Sequence, residues 1–176
     1  MLEKMKNNPP ESLKKGTSVP VVARDTDFLE KVAIRGGLPD IFDARDLTTV
    51  VYRAMRDLMT KKAARSVESE LHSEISASYK PNLQQEIADL WHDNNPLVAW
   101  LSSVRPPLEF DADTFIWRIE QEGGLPKGTS GEKVISSVFA ATKEELPTAK
   151  IQEIAQFLPG KIKEMWQAAS GQTHEI

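Results

Sequence analysis

The 176-residue chain is expected to fold as an all-α protein of about eight helices, and three observations lead there. Apolar residues recur at the i, i+3, i+4, i+7 spacing of a helix that buries one face. No segment keeps the period-2 alternation of a strand, and Gly and Pro punctuate the apolar runs at intervals that suit short helices. With 40% of positions hydrophobic and 27% charged, the composition is that of one packed domain or two small ones. A chain of this length can bury enough surface to fold without a metal or disulfide staple.

Residues 1–24 carry Lys4, Lys6, Lys14, Lys15 and Arg24 against Glu3 and Glu11, with Asn7, Asn8, Pro9, Pro10 and Gly16 as breakers. They are expected to form a flexible basic arm, more plausibly a solubilising tail than a docking segment. The first helix should run from Asp25 or Asp27, short acids suited to an N-cap, to Arg35. Gly36-Gly37 closes it, because glycine can take the left-handed conformation of a helix end, and Pro39 prevents continuation. A second helix, over about Ala44 to Met59, carries Leu47, Val50, Val51, Ala54 and Leu58 as a buried stripe, and a third follows Thr60. Pro81-Asn82 and Asn95-Pro96 each pair a capping side chain with a helix-starting proline, so LQQEIADLWH and LVAWLSSV read as two connecting helices, the second ended by Pro106-Pro107. A further first helix runs from Asp111 or Asp113 to Glu122. The next carries Val134, Val138, Ala141 and Thr142 behind a capping box of Thr129 with Glu132. After Pro147-Thr148 the last stripe is Ile151, Ile154, Ala155, Leu158, Ile162 and Met165, reaching Trp166, with Pro159 positioned to bend or restart it.

Laid against itself, the chain repeats. The run beginning at Phe28 matches the run beginning at Phe115 without a gap, an offset of 87 held over 48 positions. Gly36, Gly37, Leu38 and Pro39 fall on Gly123, Gly124, Leu125 and Pro126, Val51 on Val138, Ala54 on Ala141, Leu71 on Leu158 and Ile75 on Ile162. Conservative pairs lie between them, among them Lys31 with Arg118, Tyr52 with Phe139 and Val67 with Ile154. This period exceeds that of solenoid repeats, so the expectation is two packed copies of a three-helix unit. Copy one spans 25–80, a two-helix connecting insert 81–107, copy two 108–169, and a disordered tail 170–176.

Gly37, Leu38, Ala44, Val51, Ala54 and Leu71 in the first copy, and Gly124, Leu125, Val138, Ala141, Phe157, Leu158 and Pro159 in the second, make a Gly-Leu…Leu-Pro helical pattern. It resembles a widespread bacterial family of uncharacterised all-helical proteins, a domain of unknown function often found in tandem. The resemblance implies a fold and brings no catalytic residue. Copy one departs from it, with Leu71-His72 where the family carries Leu-Pro.

Composition excludes several chemistries. Without cysteine there is no thiol catalysis, zinc-thiolate site or cysteine-held iron-sulfur cluster. A formal net charge of −4 argues against a general polyanion binder. No apolar run has the length of a signal-peptide core or a membrane span, so the expected location is the cytoplasm. Glu68 and His72, at i, i+4, suit a surface ion pair better than a metal or proton-transfer pair, since no second histidine on the same helix completes a set of ligands. KGTSGEK, Lys127 to Lys133, lacks the G-K-[ST] of a phosphate loop and the strand before it, and reads as a turn and cap. Arg53, Arg56, Lys61, Lys62 and Arg65 form a basic patch that Asp57 alone opposes, and copy two has no equivalent. Of the tryptophans, Trp91 and Trp100 flank DNNP in the insert, where they serve either packing or a partner; Trp117 and Trp166 fall in copy two. His92 beside Trp91 suits a helix C-terminus, and His174 falls in the polar tail.

The resulting expectation is a helical protein-binding or regulatory module without catalytic activity, its partner another protein rather than a membrane. Trp91, Trp100, Arg53, Arg56 and Lys61 are the partner-contact candidates, and no cofactor or metal is assigned. One alternative is an enzyme or small-ligand binder at the seam between the copies, using Glu68, His72 or His92. The other, less favoured, is nucleic-acid binding through Arg53 to Arg65.

Overall fold

A computed structural model of the chain describes residues 26–77, 81–92, 97, 100, 101 and 104–170, with the backbone alone at 26, 27, 73–77 and 81–84. The expected arm over 1–24, the caps at Asp25, Asp27, Asn82 and Asn95-Pro96, the side chain of Ile75 and the tail with His174 lie outside what is described. Among the described residues all regular secondary structure is helical. The helices are α1 (Thr26–Gly36), α2 (Ile41–Leu58), α3 (Lys61–Ala77), α4 (Pro81–Trp91), α5 (Ala112–Glu122), α6 (Gly131–Lys143), α7 (Thr148–Ala155) and α8 (Gly160–Ala168). Leu97, Trp100, Leu101 and Val104 also have helical backbone.

Local chemistry accounts for the ends. Asp40 caps α2 by accepting from the amides of Phe42 and Asp43, both at 2.9 Å. Asp111 is the cap of α5, accepting from Thr114 N at 2.8 Å. Hydrogen bonding from Thr114 holds that carboxyl below the usual carboxylate range. The cap of α6 is Ser130, not the Thr129–Glu132 box: its hydroxyl accepts from Lys133 N at 3.2 Å, and Glu132 instead meets Lys161 of α8. Gly37 and Gly124, at φ +65° and +58°, occupy the left-handed region. At α1, Leu38 N then reaches back to Ala33 O at 2.9 Å, the six-residue closure of a Schellman end.

Exchange α1 with α5, α2 with α6, α3 with α7 and α4 with α8, and the principal packed helix pairs map onto themselves. α1 on α6 corresponds to α5 on α2, and α2 on α4 to α6 on α8; the pairs α2–α6 and α3–α7 map to themselves, as contacts on a two-fold axis do. Single atoms obey the same exchange. Lys31 Nζ lies 2.9 Å from Glu144 Oε2, and the residues 87 positions away, Arg118 and Asp57, pair at 3.0 Å. Burial alone would raise the Glu144 carboxyl, but hydrogen bonds from Lys31 and Arg35 outweigh it and hold it below its ordinary value.

The exchange also redraws one boundary. Trp166 Nε1 donates to Ile151 O at 3.0 Å, its ring meets Phe139 edge-on at 5.0 Å, and Lys143 Nζ donates to Trp166 O. In the first half the same three contacts belong to Trp91: Nε1 to Ala64 O at 3.1 Å, an edge contact with Tyr52 at 5.2 Å, and Arg56 donating to Trp91 O. Ala64, Tyr52 and Arg56 precede their counterparts by 87 residues, but Trp91 precedes Trp166 by 75. The first half therefore holds twelve extra residues, because α3 runs on through Ala77 where Pro159 interrupts the second half. Thus α4 takes in the first half the place that α8 takes in the second, and Ile87 packs as Ile162 does; both are fully buried.

One continuous apolar cluster runs through all eight helices. Where α2 and α6 meet, Tyr52 and Thr142 hydroxyls hydrogen-bond at 2.7 Å, and burial pushes the Tyr52 phenol far up, so it stays neutral. At Gly123, just past α5, an added Cβ would sit 2.4 Å from Leu47 Cδ2 of α2 and 2.5 Å from Ile119 O, whereas one at Gly36 would meet nothing nearer than 3.2 Å. Gly123→Ala is therefore expected to cost about 1–3 kcal/mol in urea unfolding, as overpacking does, and Gly36→Ala clearly less.

Candidate functional site

At the centre of the seam between the halves, α2 and α6 are closely packed. Tyr52 and Thr142 join there, and Met55 and Val138 on the same two helices are fully buried.

The basic patch, by contrast, lines a groove of about 230 Å³ between the end of α2, the start of α3, the end of α4 and the segment Arg105 to Pro107. Arg53, Arg56 and Lys61 all contribute to its walls, with Arg65, Arg105 and His92. The turn between α2 and α3 brings the basic residues of both helices to one corner, with Thr60 Oγ1 accepting from Ala63 N at 3.2 Å to start α3. Arg56 is held by the carbonyl of Trp91, and Arg53 Nη1 lies 4.0 Å from Glu122 of α5. Asp57 accepts from Arg105 at 2.6 Å and Arg118 at 3.0 Å, and its carbonyl accepts from Leu108 N at 2.7 Å, which ties the 105–108 segment to α2.

Glu68 and His72 are paired as the spacing predicts, though loosely, at 3.9 Å. Sequence spacing could not reveal that His92 reaches the same Glu68 oxygen through Nδ1 at 3.0 Å, from the end of α4. The three candidates of the enzyme reading are thus neighbours where α3 and α4 meet, and Glu68 and His92 line the groove. Among the described residues no cluster of three or more His, Asp or Glu is arranged to hold a metal.

The two tryptophans proposed for a partner part company. Trp91 is 1% exposed and belongs to the core, as its indole N–H bond and edge contact with Tyr52 require, so it offers a partner no surface. Trp100 is 60% exposed, and Leu97, Leu101 and Val104 are exposed with it.

The DUF2267 family model, described as an uncharacterized conserved protein, matches residues 25–165, four helices from each half. The chain belongs to the DUF2267 family. No curated protein matches it. The match begins at the first described helix of this DUF2267 protein and ends within α8, one residue before Trp166. Among its described residues no helix is long and apolar enough to cross a membrane.

Proposed function

We propose that this DUF2267 protein is a non-catalytic binding module, a duplicated helical unit that docks a partner protein through Leu97, Trp100, Leu101 and Val104. Their exposure carries the reading: four large apolar side chains at i, i+3, i+4 and i+7 of helical backbone stand 47–64% open. That spacing is how an amphipathic helix presents itself to an apolar groove on another protein, and tryptophan is a frequent anchor in such interfaces. Just past Val104 the chain is tied to α2 by the Arg105–Asp57 ion pair and the Leu108 N–Asp57 O hydrogen bond. Duplication is supported by the reciprocal ion pairs and tryptophan contacts, which follow no simpler rule than two related halves.

The test compares wild type with Trp100→Ala and Val104→Asp. Both variants should melt at the wild-type temperature, since neither side chain enters the core, and lose a purified stoichiometric partner about tenfold or more in affinity. Retention of that partner by both variants would overturn the reading. A wild-type homodimer in light scattering that Val104→Asp converts to monomer would instead assign the face to a second copy of the chain.

A further inference from the structure

We infer that the groove at the α2–α3 corner is a binding site for a compact, multiply charged anion: a small molecule bearing phosphoryl or clustered carboxylate groups. The inference does not depend on the docking reading.

Charge is the first support. The groove is lined by five Lys or Arg side chains and two carboxylates, on a chain whose formal net charge is −4. Both carboxylates are already engaged, Asp57 by two arginines and Glu68 by His92. Lys61 and Arg65 are exposed and form no ion pair among the described residues. One turn apart on α3, these two side chains offer multidentate donors that suit the oxygens of a phosphoryl or carboxylate cluster.

The second half supplies an internal comparison. Its equivalent corner keeps what the packing requires: the buried tryptophan, the cation capping its helix and the acid that pairs across the halves. The remaining charges are absent. Arg53, Lys61, Arg65 and Glu68 are replaced, 87 residues on, by Ala140, Thr148, Gln152 and Ala155. The fold therefore forms this corner without them. Their presence in the first half even opposes folding locally, because Lys61 and Lys62 stand in the first turn of α3, which has no acid, at the positive end of the helix dipole. Residues that break a local rule without a packing return are the ones to suspect of function.

Size and shape select the ligand. About 230 Å³ lies below the volume of pockets for drug-sized molecules, and the Trp91 ring beneath is buried, so no aromatic face is open for a base to stack on. Both features favour a small anion over a nucleic-acid strand.

The experiment titrates the full chain calorimetrically with pyrophosphate, citrate and a short single-stranded oligonucleotide at matched ionic strength. Saturable binding of pyrophosphate or citrate is expected, and the preferred one names the phosphoryl or the carboxylate class. Lys61→Glu with Arg65→Glu should weaken it by about tenfold or more, the loss of one or two charge-assisted hydrogen bonds. Lys61→Glu alone should already weaken it, and Lys163→Glu, an equal charge change at an exposed position of α8, should leave it unchanged. The ligand-free Lys61→Glu protein should melt no lower than wild type, which separates lost binding from lost folding; Lys61→Gln with Arg65→Gln serves if the reversal unfolds the chain. No saturable binding of either small anion at millimolar concentration, an equal loss in Lys163→Glu, or oligonucleotide binding without small-anion binding would each overturn the inference.

Discussion

Trp166→Ala should destabilise the protein by about 3–5 kcal/mol, the range for removing a large buried aromatic side chain, a substantial part of what a domain of this size possesses. The ring is fully buried, packs edge-on to Phe139, and donates its N–H to Ile151 O, so the substitution leaves a cavity and removes a buried hydrogen bond. Trp91→Ala should cost about as much, for the same reasons on the other side of the pseudo-axis. Denaturant unfolding measures both, and Trp→Phe at each site should recover most of the loss while leaving the indole hydrogen bond unmade. A Trp91→Ala protein as stable as wild type would mean that this ring is not the core counterpart of Trp166. Trp100→Ala is the control, expected to leave stability nearly unchanged because the ring is largely exposed.

Dividing the chain between Pro107 and Leu108 should leave two pieces that do not fold cooperatively alone. The reason is the cross-packing: α1 lies on α6 and α5 on α2, so each half buries its first helix against the other half. The first helices, with Phe28, Leu29 and Val32 buried on one and Phe115 and Ile119 on the other, would each lose that cross-half cover in the isolated pieces. Mixing the two pieces should restore helical circular dichroism and a single melting transition, with a midpoint that rises with concentration. A sharp transition in residues 1–107 alone would show that the halves are autonomous and that the cross-packing is secondary.

Much of this architecture is legible in the sequence. The Asp111 cap, the glycine-ended first helices and the buried stripes of α2 and α6 follow from local signals that tertiary packing does not override. The halves were detectable because Phe28 to Leu71 and Phe115 to Leu158 keep one offset. The fourth helix escaped because a gap-free comparison carries Tyr79, not Trp91, onto Trp166. Its signal was nevertheless present: Ile87, Leu90 and Trp91 have the spacing of Ile162, Met165 and Trp166, displaced by the twelve residues that lengthen α3. The Thr129–Glu132 box failed by one residue, since Ser130 offers an equivalent hydroxyl closer to the first free amides. The groove was half legible. Arg53 to Arg65 read as a patch, but Arg105 and His92 join it only through the return of α4 and the 105–108 segment, which no local pattern encodes.

The exchange of first helices also bears on how the protein is made. On the ribosome, α1 emerges roughly a hundred residues before α6, the helix it must lie against, which at bacterial or eukaryotic elongation speeds is a wait of about 5–20 s. For that interval the nascent first half carries a bare greasy strip with no companion. Molecular chaperones have their opening there, and substitutions that make the strip stickier should lower yield in cells long before they lower the stability of the finished molecule.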